Sequence, residues 1–242
     1  MALKYIFLTL MICASFSVKA MQDQILHVVT EHSPPFNYQL KNKKIVGSGT
    51  DKVIKALDEA NIDFSLDIYP WARAYKLALT QPNTLIYSIY RNKERKNLFQ
   101  WACPLLPRND LYLYALKKNS SVKAVNIDNL KQFKTGIVRQ GLVSTFLKGK
   151  GFEEGKELYV ATDDTTNLKL LLEGKIDLVI ATITSMENRM KSINQALPLL
   201  RRVNFPEINI DTELCLAFSL GTPSDIVDKV RNALHNINHT DV

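Results

Sequence analysis

The chain has 242 residues, with 31 lysines and arginines against 24 acids and a formal net charge of +7. This length can bury one large core or two smaller ones, and the mild basic excess fits an anionic small ligand or an acidic partner surface without calling for nucleic acid. No CxxC or His/Cys metal spacing, phosphate loop or serine-histidine-aspartate set is legible, so neither a metal nor another cofactor is expected.

In chain order, the first segment is MALKYIFLTLMICASFSVKA. Lys4 precedes an apolar run from Tyr5 to Phe16, and Val18 and Ala20 are the small residues of a cleavage site. The pattern predicts a cleavable secretory signal peptide over residues 1–20 and a periplasmic, soluble product. The apolar run is shorter than the roughly 20 residues of a membrane span. Cys13 follows the bulky Ile12, which argues against a lipid anchor. Removing Lys4 and Lys19 lowers the charge from +7 to +5.

Ile25 to Thr30 reads as a buried strand that ends before the turn Ser33-Pro34-Pro35. Gly47 and Gly49 close a loop, and Thr50-Asp51 can cap a helix with Val53, Ile54, Leu57 and Ala60 on one face. Asp63 to Tyr69 alternates like a strand, and Pro70 suits the first turn of a helix carrying Trp71, Ala74, Tyr75 and Ala78. Thr84 to Ile89 returns to strand, followed by the bases Arg91, Lys93, Arg95 and Lys96. Leu111 to Ala115 is a further strand, and the polar stretch from Leu116 to Lys131 reads as a crossing between lobes.

Beyond it, Thr135 to Val138, Leu158 to Ala161, Ile176 to Ala181 and Leu214 to Phe218 are predicted strands. Helices are predicted from Gly141, from Asp163 or Asp164, from Thr184-Ser185 and from Pro223-Ser224. The alternation argues for α/β architecture, and the continuous apolar run IDLVIA for a strand covered on both faces. Cys103 and Cys215 both lie in apolar settings. An oxidising compartment permits a disulfide between them, and two free buried thiols are the other reading.

The order of VVTEHSPPFNY, SIYRNKERKNLFQWACPL, IVRQGLVSTF and LEGKIDLVIATITSMENRM resembles the bacterial extracellular solute-binding proteins of family 3, receptors typically paired with importers of polar amino acids. The resemblance covers nearly the whole chain after the signal peptide and rests on the order of several modest motifs. It implies a type II periplasmic-binding-protein fold: two α/β lobes, two hinge strands and a ligand cleft between the lobes. Lobe one would be residues 21–112 and 205–242, and lobe two residues 113–204.

The family's carboxylate-binding arginine falls on Arg95, by its spacing to Trp101. A planar guanidinium offers two parallel donors to a carboxylate and keeps its charge at any accessible pH. The resemblance also places Ser88, Tyr90, Phe36 and Trp71 at the cleft, and Arg91 either adds a second cation there or points to water. Lys93 and Lys96 are expected to be solvated. Lobe two would contribute the turn Arg139-Gln140-Gly141-Leu142-Val143-Ser144, whose helix N-terminus favours an anion. Leu142 and Val143 stand where the family often has threonines, and Ser144 can replace one hydroxyl.

The family's ammonium-binding aspartate falls on Thr182, which cannot neutralise a cation. Either Glu31 or Glu187 substitutes, or the ligand lacks a free amino group. The resemblance implies a monomeric, non-catalytic periplasmic receptor for an anionic or zwitterionic small molecule, such as an amino acid or related organic acid. It would serve an ABC-type permease or a membrane sensor. The alternatives are a dehydratase of a cyclic acid on the same fold, with Glu31, His32 or Glu187 as its acid or base, and a sensory or interaction module without ligand.

Overall fold

The computed structural model describes residues 25–123, 125–205 and 212–240. The expected signal peptide, residues 1–20, lies outside the described residues. Two five-stranded sheets form the frame.

The first sheet begins with β1 (Leu26–Thr30), β4 (Phe64–Ile68) and β5 (Thr84–Tyr90), with β1 parallel to both of the others. β12 (Leu214–Phe218) pairs antiparallel with β5, and β6 (Gln100–Leu106) closes the edge, in the order β4-β1-β5-β12-β6. A two-stranded ribbon of β2 (Tyr38–Gln39) and β3 (Ile45–Val46) stands apart. The second sheet runs β11 (Leu200–Val203), β7 (Leu111–Leu116), β10 (Leu178–Thr182), β8 (Thr135–Val138), β9 (Leu158–Ala161). β10, β8 and β9 are parallel, and β7 pairs antiparallel with β10 and β11.

Every residue of β10 is buried, as expected of a central strand with apolar cover on both faces. β6 was not foreseen, because Pro104 lacks a ladder donor. An edge strand tolerates that loss.

Helices cover both sheets: α1 (Ser48–Glu59), α2 (Trp71–Thr80), α3 (Ile127–Leu130), α4 (Leu142–Gly149), α5 (Asp164–Leu172), α6 (Ile183–Ser192) and α7 (Ser224–Thr240). α1 starts before the expected Thr50-Asp51 cap. Gly47 precedes it at a φ of 123°, where a Cβ would come within 2.5 Å of the Phe36 carbonyl oxygen. Thr50 is thereby turned inward, donating to the Val46 carbonyl at 3.2 Å and bonding the Tyr87 hydroxyl at 2.8 Å. Capping side chains do start three later helices: Asn126 accepts from the Asn129 N–H, Asp163 from the Thr166 N–H and Thr182 from the Ser185 N–H.

One core under the first sheet joins Val28, Leu57, Tyr87, Phe218 and Leu234, and its other face packs Ile86, Trp71, Tyr75 and Phe99. The second sheet has its own pair of cores, around Leu113, Ile137 and Leu147 and around Leu171, Val179 and Met190. The chain passes between the sheets at Pro107–Asp110, ahead of the stretch from Leu116 to Lys131. That stretch already packs in the second core through Val122, Val125 and Leu130. Phe205 also packs there, whereas Leu214 belongs to the first core.

Cys103 and Cys215 are joined in a disulfide between β6 and β12. It closes a sequence separation of 112 residues. Replacing both cysteines by serine should lower unfolding free energy by about 2–5 kcal/mol, read as an earlier urea midpoint and a lower melting temperature. An unchanged midpoint would show that the cross-link contributes nothing to stability.

Candidate ligand-binding cleft

A cavity of about 830 Å³, counting its open mouth, lies between the two sheets and takes its walls from both. Its polar residues follow the carboxyl ends of strands. Glu31 follows β1, Trp71 follows β4, and Ser88 and Tyr90 end β5. On the other side Gly141 and Ser144 follow β8, Asp164 follows β9, and Thr182 ends β10. Open α/β sheets bind ligands at this end of their strands.

Of the four bases after β5, only Arg95 is buried, with 2% of its surface exposed; Lys93 and Lys96 face water. Asn92 accepts the Arg95 N–H at 2.9 Å, folding the segment so that the guanidinium turns inward. The guanidinium donates to the Tyr90 carbonyl at 3.2 Å and, across the cleft, to the Gln140 carbonyl at 2.8 Å. It lies 5.2 Å from the Trp71 ring centre and 5.1 Å from that of Tyr75, whose rings stack on each other. The same Gln140 carbonyl accepts from the Trp71 indole at 2.9 Å. Gln140 adopts a left-handed φ of 59°. One main-chain oxygen of the second sheet's side thus receives two donors from the first.

Phe36 lines the cavity wall, and so does Ser88, a non-glycine residue at a φ of 57°. A shift in strand register accompanies it: Ile89 and Tyr87 pair with successive residues of β12, leaving Ser88 bulged out. Its hydroxyl oxygen is buried without a hydrogen-bond partner among the described residues. Thr182 faces the cavity, but its hydroxyl is engaged with Ser185, accepting from the N–H at 3.1 Å and donating to the side chain at 3.0 Å.

Arg91 and Arg139, each a candidate site residue with solvent as its other reading, stand elsewhere. Arg91 lies over the Trp101 ring at 5.8 Å, and the Arg139 side chain is 64% exposed near Glu154. Neither lines the cavity. Arg73 is exposed over Tyr69, on the helix face opposite Tyr75. Glu187 and His32 are exposed too.

Sequence reasoning missed Asp164 and Arg189. Both line the cavity and pair at 2.7 Å, with the Arg189 side chain 10% exposed. Asp164 had an ordinary reading at a helix start. Its position after the carboxyl end of a parallel strand was the available clue.

Glu31 is half-buried, with its remaining surface toward the cavity. Burial pushes its carboxyl up to about 8, reinforced by the charge of Asp164, while Arg189 and Arg95 oppose the shift. Burial likewise pushes the Tyr90 hydroxyl up to about 12 and lowers the His32 imidazole.

No family model matches the chain, and neither does any curated protein. Solved structures do. An ancestral arginine-binding protein bound to arginine is 18% identical, with a TM-score of 0.74 over 89% of this chain and 92% of that one. A histidine kinase sensor domain with similarity to periplasmic binding proteins is 15% identical, with a TM-score of 0.75 over 90% and 92%. The amino acid ABC transporter substrate-binding protein AbpA from Streptococcus pneumoniae, bound to L-arginine, is 16% identical, with a TM-score of 0.72 over 90% of each chain. The chain has the two-lobed periplasmic-binding-protein fold. Among the described residues, no helix is long and apolar enough to cross a membrane.

Within this fold Glu31 generates a pH dependence of known sign. The folded state holds its proton up to about 8, whereas the unfolded chain releases it near the ordinary 4.5. Its stabilising effect is therefore complete below pH 4.5 and is lost as pH rises through 8. Subtracting the stability profile of Glu31→Gln from that of the parent should isolate a decline across this window. A flat difference would mean that Glu31 ionises normally.

Proposed function

We propose that the protein is an exported solute-binding protein of the extracellular family 3 type, which closes two lobes over a small carboxylate-bearing ligand and presents it to an ABC importer or a membrane sensor. The observation that carries the reading is Arg95, a guanidinium buried at the wall of an interlobe cavity and braced by carbonyls and aromatic faces. A guanidinium has five N–H donors, and the carbonyls of Tyr90 and Gln140 leave others for a carboxylate. Phe36 and Trp71 supply apolar wall for the ligand body, with Ser88 and Ser144 beside them on the cavity wall. The protein acts as a monomer and needs no cofactor in this reading. Amino acids are the first ligands to test, because two of the structural neighbours hold arginine.

A second reading rests on Glu31. An enclosed carboxyl that stays protonated near neutral pH is equipped for general acid chemistry, such as the dehydration of a cyclic acid. Turnover of such an acid by the purified protein, lost in Glu31→Gln, would establish that reading in place of the receptor.

A thermal-shift panel of amino acids and organic acids tests the receptor. A ligand present at a hundred times its dissociation constant adds about 2.7 kcal/mol to stability and raises the melting temperature. Arg95→Ala should abolish the shift, while Arg91→Ala, outside the cavity, should preserve it. An Arg95→Ala protein that responds like the parent would sink the clamp.

A further inference from the structure

The bases of this chain are unevenly spread. Residues 113–204 carry the basic excess that remains after residue 20, and the rest of the chain is close to neutral. Two stretches of that span and its borders contain no acid: Leu111 to Ile127 and Asn188 to Phe205.

The sheet topology brings these two stretches to one corner. β10, β8 and β9 are parallel and begin at the end of the second sheet opposite the cavity. β7 is antiparallel to β10, so it finishes at that far end, and β11, antiparallel to β7, starts there. Lys117 and Lys118 follow β7 directly, and a short 3₁₀ turn, Leu197–Leu199, leads into β11. The Lys117 N–H donates to the Leu199 carbonyl at 2.8 Å, which sets the two segments side by side. α6 packs against the turn and carries Lys191 at its end.

The corner is apolar at its tip and basic around it. Leu197 is 37% exposed and Leu199 46%, and Pro198 between them is exposed too. Lys117, Lys118 and Lys191 face water, and none pairs with a carboxylate among the described residues. Farther along the same end charge is partly cancelled: Lys175 pairs with Glu173 at 2.7 Å and Lys156 with Glu157 at 3.4 Å. Uncancelled positive charge therefore surrounds the exposed leucines.

An acidic protein surface would meet the lysines and gain nothing from the leucines. An anionic bilayer meets both. Its headgroups attract each nearby lysine, and its acyl boundary takes apolar side chains while lysine stems lie along it with their ammonium groups among the headgroups. We propose that this corner, distal to the cleft, is a reversible docking surface for an anionic lipid bilayer. Docked in this way, the protein keeps its cavity on the side away from the lipid, about 16 Å off along the five residues of β10. The proposal is independent of what the cavity takes.

Co-sedimentation with lipid vesicles tests it. The mature protein should bind phosphatidylglycerol vesicles at low salt and leave phosphatidylcholine vesicles unbound. Binding should fade at about 1 M salt, where the Debye length is about 3 Å. Lys117→Gln combined with Lys118→Gln should weaken it about 30-fold, through the loss of two charges near the surface. Lys41→Gln combined with Lys44→Gln removes the same charge from the exposed turn of the β2–β3 ribbon and should change nothing. Leu197→Ser combined with Leu199→Ser keeps every charge and should still weaken binding about tenfold. Circular dichroism confirms that each variant is folded.

No binding to phosphatidylglycerol, or equal binding to phosphatidylcholine, would overturn the proposal. So would an equal loss in the ribbon variant, which would assign binding to overall charge. A leucine variant that binds like the parent would overturn the bilayer and assign the corner to an acidic protein partner. The thermal-shift response to ligands should be the same in all three variants, so this docking surface and the receptor reading stand or fall separately.

Discussion

A guanidinium can stay buried only where its donors and its charge are met. Arg95 meets that condition with parts from both lobes: the Tyr90 carbonyl and the Trp71 and Tyr75 rings on its own side, and the Gln140 carbonyl opposite. The Trp71 indole reaches the same oxygen. The approach of the two sheets, the burial of Arg95 and the enclosure of the cavity are thus one arrangement. Separating the lobes would strip the guanidinium of its shortest hydrogen bond and open the aromatic stack beside it to water.

The site owes its variety to a simple geometric rule. Parallel strands deliver successive chain segments to the same end of a sheet. Two such sheets with their carboxyl ends toward one cleft bring together residues that are far apart in sequence. Glu31, Ser88 and Asp164 become neighbours of one cavity in this way. The two lobes contribute one acid and one arginine each: Glu31 and Arg95, Asp164 and Arg189.

Much of the frame is legible in the residues. Apolar runs such as IDLVIA locate central strands because both faces need cover, while Arg95 stands out from the neighbouring bases only through the family resemblance, which supplies the spacing to Trp101. Local chemistry conceals the rest. Asp163 and Asp164 read as helix starters, and Asp163 does cap α5, so nothing in the pair advertised that Asp164 also faces the cavity. The turn Arg139-Gln140-Gly141 reads as a helix N-terminus that offers N–H donors, whereas the group that reaches across is the main-chain oxygen of Gln140, which has a left-handed φ. β6 was hidden by its proline, and the two-residue strands of the ribbon are too short to show a period.

The disulfide ties together the two strands from which the chain departs to the second lobe and to which it returns. β6 leads into Pro107–Asp110, and β12 begins at Leu214, just after the return passage. Cys103 and Cys215 therefore act as a staple across the roots of both straps. A covalent bond between β6 and β12 holds the two strands at a fixed separation at that point, whatever the spans beyond them do.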